Sequence, residues 1–152
     1  MKASQRLHLA VDSLFAHSSQ SFIIAMGDFN DTPKENSFQK GIQVKALKKR
    51  EKTLKDRELY LLPHLSFHPS VEGSYKFHGV WYDFDQILIS SSLVSRCKEE
   101  RGYFPYLQIC DFDFLLTEDV TYLGIRPFPT YYGMKYQGGF SDHLPIKVDL
   151  HF

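Results

Sequence analysis

Apolar residues recur at Leu7, Ala10, Val11, Leu14 and Phe15, the spacing of one helical face, so the pattern predicts an amphipathic helix over residues 4–17. A continuous apolar run from Phe22 to Met26 ends at Gly27 and fits a short strand buried on both faces. The polar cluster Asp28 to Asp31 follows. Thr32-Pro33-Lys34-Glu35 then has the form of a capping box with proline at the first helical position, which predicts a helix starting directly after the cluster. From Val44 to Tyr60 the apolar pattern gives way to charge, with Lys45, Lys48, Lys49, Arg50, Lys52, Lys55 and Arg57 set against Glu51, Asp56 and Glu58. Mixed signs at helical spacing predict a solvated helix face; the other reading is a basic face that contacts phosphate.

Pro63 and Pro69 mark a loop, after which Ser74 to Phe77 is extended and His78-Gly79 reads as a turn. The second arm of the hairpin so formed, Trp81 to Ser90, alternates and puts Trp81, Asp83, Asp85, Ile87 and Ile89 on one face. A carboxylate on the side that carries Ile87 and Ile89 is costly to bury unpaired, so Asp85 needs a partner such as a histidine, a metal or backbone donors, and His143 is the candidate. Phe104 to Leu116 reads as a further strand region, and Thr121 to Phe140 as a long loop rich in aromatic, glycine and proline residues. Tyr131, Tyr132, Tyr136 and Phe140 in that loop either pack it together or form a platform for a base, lipid or sugar surface. Ile146, Val148, Leu150 and Phe152 alternate in a closing strand.

Composition narrows the field. At 152 residues, 43% hydrophobic and 15% aromatic, the chain has the size and apolar content of a single domain over 1–152 with a real core. Eighteen basic residues balance eighteen acidic ones, so no global cationic field draws in a polyanion and there is no strong nucleic-acid signal. Cys97 and Cys110 are too few for a disulfide scaffold and lack zinc-site spacing, which leaves them as small core residues. No stretch approaches the roughly 20 apolar residues of a membrane span, and Met1 to Phe15 lacks a signal-peptide pattern; the default location is cytoplasmic, open to any upstream sequence.

Two short segments carry chemistry: Gly27-Asp28-Phe29-Asn30 and Ser141-Asp142-His143. Metal-assisted hydrolysis needs one or two carboxylates for a hard cation and a group that manages the proton of the attacking water. Asp28 and Asn30 stand beyond the carboxyl end of a strand, where open α/β sheets hold their ligands. Taken singly, each segment is also an ordinary polar turn; taken with Asp85, the three argue for a site.

Met26-Gly27-Asp28-Phe29-Asn30-Asp31-Thr32-Pro33, Asp85-Gln86-Ile87-Leu88-Ile89-Ser90 and Ser141-Asp142-His143-Leu144-Pro145-Ile146 together resemble, in order, the C-terminal part of the endonuclease/exonuclease/phosphatase superfamily. The resemblance implies an α/β fold that is part of a four-layer sandwich, with mixed sheets packed face to face, helices outside and the active site at one end. It implies that Asp28 orients or deprotonates the attacking water and that Asn30 hydrogen-bonds the phosphoryl group. His143 would contact the same phosphate or act as base, with Asp85 fixing its tautomer. Asp142 and Asp28 would reach a metal, Mg²⁺ or Mn²⁺, directly or through water.

The departures from the family pattern matter equally. An early Asn, a metal-binding Glu on a strand and a further phosphate-facing His or Tyr cannot be placed upstream of Gly27, and no Glu precedes Glu35. The expectation is a domain lacking its N-terminal half, impaired in turnover, and prone to self-association or reliant on a separately encoded first half. Three classes stay open: a divalent-metal-dependent hydrolase of a phosphoester (phosphodiesterase, nuclease or phosphatase); a catalytically inactive interaction module or one half of a split hydrolase; and an ordinary α/β domain with coincidental turns. Neutral charge and the aromatic loop favour a small lipid or sugar phosphoester over duplex DNA.

Overall fold

Helix α1 (Lys2–His17) buries Val11 and Phe15 and half-buries Leu7, a stripe narrower than predicted because Ala10 and Leu14 face solvent. The computed structural model describes residues 2–49, 53–97 and 104–152. A second helical segment, Ser37–Ile42, packs against α1, but it begins later than the capping box predicts. Thr32 closes a turn by accepting from the Glu35 N–H, and the helix lasts six residues in a wide form, with the Gln43 N–H reaching back to the Phe38 carbonyl at 2.8 Å. Among the described residues, no helix is long and apolar enough to cross a membrane.

The strands are β1 (Ile24–Asp28), β2 (Lys45–Ala46), β3 (Leu59–Leu61), β4 (His64–Leu65), β5 (Tyr75–Phe77), β6 (Val80–Tyr82) and β7 (Asp85–Ser90). After helix α2 (Ser91–Cys97) come β8 (Leu107–Ile109), β9 (Leu116–Glu118), β10 (Ile125–Pro127), β11 (Tyr131–Tyr132), β12 (Lys135–Tyr136) and β13 (Ile146–Lys147). One mixed sheet has the order β1-β7-β3-β2 and a second the order β13-β8-β4, with three two-stranded ribbons beside them.

Alternation along the first sheet divides the core in two. Leu59 and Leu88, with Ala25 and Leu61, meet Val11, Phe15, Phe38 and Ile42 on the helical side. Tyr60, Ile87 and Ile89 point the other way and pack with Leu107, Ile109 and Leu144. The result is a mixed α/β fold whose layers run helix, sheet, sheet; a fourth, helical layer over the second sheet is not seen among the described residues, and α2 instead turns Leu93, Val94 and Cys97 into the core between the sheets.

Several expectations are corrected. β1 is not buried on both faces: it is an edge strand, and Ile24 (46% exposed) and Met26 (53%) lie on the side of Ile89 and Ile87 where the second sheet does not reach. The charged region 44–60 is not a helix in its described residues. Leu47 and Tyr60 are drawn into the core, β2 pairs with β3, and Lys45 and Lys55 both pair with Glu58 across the connection; 50–52 lie outside the described residues. Trp81 to Ser90 is two strands, because the chain leaves the β5–β6 ribbon at Tyr82 and joins the first sheet at Asp85. Thr121 to Phe140 holds β10 to β12 rather than a loop alone, and the closing strand shrinks to Ile146–Lys147. Cys97 is buried and Cys110 half-buried. The predicted turn at His78-Gly79 is a two-residue hairpin loop with both φ positive, at 47° and 82°, the primed turn whose twist suits paired strands.

Candidate active site

The site begins with register. β1 and β7 run antiparallel with Met26 opposite Ile87, Gly27 opposite Gln86 and Asp28 opposite Asp85. Directly opposed residues share a face, so the two carboxylates stand side by side at the ends of their strands. Like charges so placed repel and call for a cation between them. Gly27, at φ 134°, has a backbone conformation that an L side chain rarely adopts, which accounts for glycine next to the first carboxylate.

His143 brings an imidazole from the other end of the chain. Its segment is pinned to β5: the Leu144 N–H donates to the Ser74 carbonyl at 2.7 Å, and His143 forms a backbone bridge with Tyr75. The imidazole stacks on the Tyr75 ring at 4.6 Å between centroids. Its Nδ1 lies 2.6 Å from Asp85 Oδ2, and the buried Ser74 hydroxyl donates to that same oxygen at 2.5 Å. The hydrogen bond to Asp85 raises the proton affinity of His143 above that of a free imidazole, against burial, with the charges of Asp85, Asp28 and Asp142 adding to it. Burial works to raise the Asp85 pKa, but the hydrogen bonds from His143 and Ser74 outweigh it, so the carboxyl stays ionised below the usual range.

Asp28 Oδ1 accepts the Asn30 backbone N–H at 2.7 Å, closing a turn in which Asn30 has φ 51°, a left-handed conformation that asparagine tolerates. Asn30 and Asp28 line a cavity toward α1 with Ser4 and Ser37. Asp142 lines a different cavity, with Tyr75 and Arg126. The structure therefore brings Asp28, Asp85 and His143 together, with one ligand atom from each lying within 4.8 Å of the others, and leaves Asn30 and Asp142 on either side.

A divalent ion fits this donor set. Asp28 and Asp85 each keep one carboxylate oxygen outside the hydrogen bonds just described, and hard cations such as Mg²⁺ are commonly held by one or two carboxylates plus water and substrate oxygens.

Sequence reasoning missed the support beneath Asp85. Ser74 is fully buried, and a serine preceding an extended aromatic pair was its only signal. A second group lies on the far side. His64 on β4 sets Nδ1 2.8 Å from Asp83 Oδ1 and Nε2 2.9 Å from Gln86 Oε1. The Gln86 amide is oriented by its other end, where Nε2 donates to the Asp83 carbonyl at 2.7 Å; the flipped amide would set two oxygens against each other. Both His64 nitrogens thus face acceptors, an arrangement that favours the imidazolium, in which both donate. Burial opposes that charge, but the Asp83 hydrogen bond and charge, with help from Gln86 and Asp85, raise the His64 pKa. The group ties the second sheet to the first at the strand end that presents Asp85.

The model of the endonuclease/exonuclease/phosphatase family matches residues 1–151 of the chain. No curated protein and no solved structure matches it.

Proposed function

Because the chain belongs to the endonuclease/exonuclease/phosphatase family, we propose that it hydrolyses a phosphoester bond by attack of water with a divalent metal, Mg²⁺ or Mn²⁺, as cofactor. The observation that carries this reading is the opposition of Asp28 and Asp85 across β1 and β7, with His143 bonded to one of them. Asp85 holds the His143 proton on Nδ1 and aims the ring, which leaves Nε2 for the substrate. The raised proton affinity favours the imidazolium, a donor to a phosphoryl oxygen as charge builds there. Asp28, less enclosed than Asp85, orients the water and accepts its proton. Asn30, two residues after Asp28, would hydrogen-bond the phosphoryl group, and Asp142 would assist at the metal. Asp28 and Asp85 would hold the metal ion, which would supply charge screening and a more acidic water.

The test is phosphodiesterase activity on bis(p-nitrophenyl) phosphate with Mg²⁺ or Mn²⁺. His143→Ala should lower kcat by ~10²–10⁴-fold, the range for a positioned acid or base. Equal turnover by this variant and the parent would sink the reading.

One observation favours a second reading, in which the chain is an interaction module or half of a split hydrolase with low turnover alone. Phe22, Ile24 and Met26 are all more than 40% exposed, and Ile24 and Met26 lie on a face that continues the core between the sheets, so covering them requires a second copy or another polypeptide. Sedimentation velocity of the isolated chain decides it: a monomer with full turnover removes this reading.

A further inference from the structure

Beside His143 lies a cavity of about 270 Å³ whose walls include Tyr75, Phe77, Tyr122, Arg126, Tyr132 and Asp142. Tyr75 belongs to both places, since its ring stacks on His143 and also faces the cavity. A substrate with its reacting phosphoester at His143 therefore has its next group over Tyr75. The wall is formed in advance by the tight His78-Gly79 turn, which stacks Phe77 on His78 with centroids 3.9 Å apart.

Two cations border this cavity, and they differ. Lys76 has committed its three donors: it pairs with Asp119 at 2.9 Å and donates to the Leu123 and Ile125 carbonyls at 2.9 and 3.0 Å. Asp119, almost fully buried, is likewise consumed by Lys76 and by the Tyr122 N–H. Arg126 is half-buried, with its guanidinium carbon 4.3 Å from the Tyr132 ring centroid. Among the described residues no carboxylate lies within ion-pair distance of Arg126 and none of its side-chain N–H groups has a hydrogen-bond acceptor, although its charge acts on Asp119, which is held by Lys76. A guanidinium that rests its face on an aromatic ring keeps its donor edge free, and that edge matches the two oxygens of a phosphate. The charge of Asp119 on the same wall acts on Arg126 from a distance and the Tyr132 ring covers its face, but neither takes up its donor edge, which a bound anion would fill.

We infer that Arg126 and Tyr132 form a subsite for a second phosphate, carried on the ring-bearing part of the substrate next to the reacting phosphoester. This rests on the phosphoester reading of the His143 site and goes further by stating which phosphoesters are preferred: those with two phosphates on one planar or sugar ring. The cavity takes a single ring system, and its aromatic walls supply the surface against which that ring lies. Two sources share this chemistry, a nucleotide with phosphates at two positions of its sugar and a phosphorylated cyclitol.

Calorimetric titration of the intact chain with chelator present reads binding without turnover. The probes are a nucleoside bisphosphate against the matching monophosphate, and inositol bisphosphate against inositol monophosphate. In at least one pair the second phosphate should tighten binding ~10-fold, the order of a charge-assisted bidentate contact. Arg126→Gln should erase that ratio and Arg126→Lys should retain part of it, both variants being first shown to melt as the parent does. A gain in the nucleoside pair alone assigns the ring to a nucleotide, and a gain in the inositol pair alone assigns it to a cyclitol. No gain in either pair, or a gain that survives in Arg126→Gln, overturns the subsite. Because turnover is not measured, absence of hydrolysis does not count against it, and a working hydrolase indifferent to the second phosphate refutes the subsite alone.

Discussion

β1 and β7 pair residue for residue from Ile24 opposite Ile89 to Asp28 opposite Asp85, and yet they occupy different surroundings. All six residues of β7 are buried, whereas β1 shows every second residue to solvent. β7 has a strand on each side and a core on each face; β1 has one neighbour. The two carboxylates inherit the contrast. Asp85 is held by Ser74 and His143 on one oxygen, while among the described residues the Asp28 carboxylate accepts only the N–H of its own turn. Folding alone therefore orders the His143 side of the cluster, and in the proposed reading cation and substrate complete the Asp28 side.

The sharpest way to break this contrast is a double substitution in the rigid half. If Asp85 acts through His143, then His143→Ala and Asp85→Ala each lower kcat by ~10²–10⁴-fold, and the double variant is no worse than the poorer single one, as groups acting as a unit behave. Losses that multiply would show that Asp85 acts independently of His143, as a holder of the cation rather than as the partner that aims the imidazole.

Stability separates the strands next. Leu88, with no exposed surface, packs with Val11, Phe15 and Phe38, and its replacement by Ala should cost about 2–5 kcal/mol in denaturant unfolding. Met26→Ala, on the open face of β1, should change stability by less than about 0.5 kcal/mol. A Met26 cost approaching that of Leu88 would mean that the open face is covered in solution, and the second reading of the chain would gain ground.

The same contrast explains what was legible in the sequence. β7 and α1 were visible because each buries a periodic set of residues, Ile87 and Ile89 or Val11 and Phe15, and periodicity is a local signal. The surroundings of β1 were not, since an apolar run looks the same whether the second sheet reaches it or not. The region 44–60 misled for a related reason: its charges favour a helix locally, but the burial of Leu47 and Tyr60 depends on β7, far along the chain. In the site, the tie between Asp85 and His143 followed from the cost of an unpaired buried carboxylate. Ser74, His64 and Arg126 carry no motif and become visible only when β5, β4 and β10 are placed in space.

His64 yields the smallest effect and the one with a definite sign. Its folded pKa is raised above the value of about 6.5 for a free imidazole, so its contribution to stability is fully present below that value and is lost as pH rises through the folded pKa. Asp83 and Asp85 are the charged groups that face it, and the hydrogen bonds from His143 and Ser74 hold the Asp85 carboxyl below its usual range, so the expected change is assigned to the imidazole. His64→Gln removes the charge, and the difference in melting temperature between parent and variant should shrink as pH is raised from below 6.5 to above the folded pKa. His143 titrates in the same direction in both proteins and cancels in the difference. A difference that stays constant or grows with pH would mean that His64 is neutral in the fold and that the Gln86 amide is turned the other way. Asp85 would then owe its place to Ser74 and His143 alone, and the rigid half of the site would be confined to the side of β7 that faces β5.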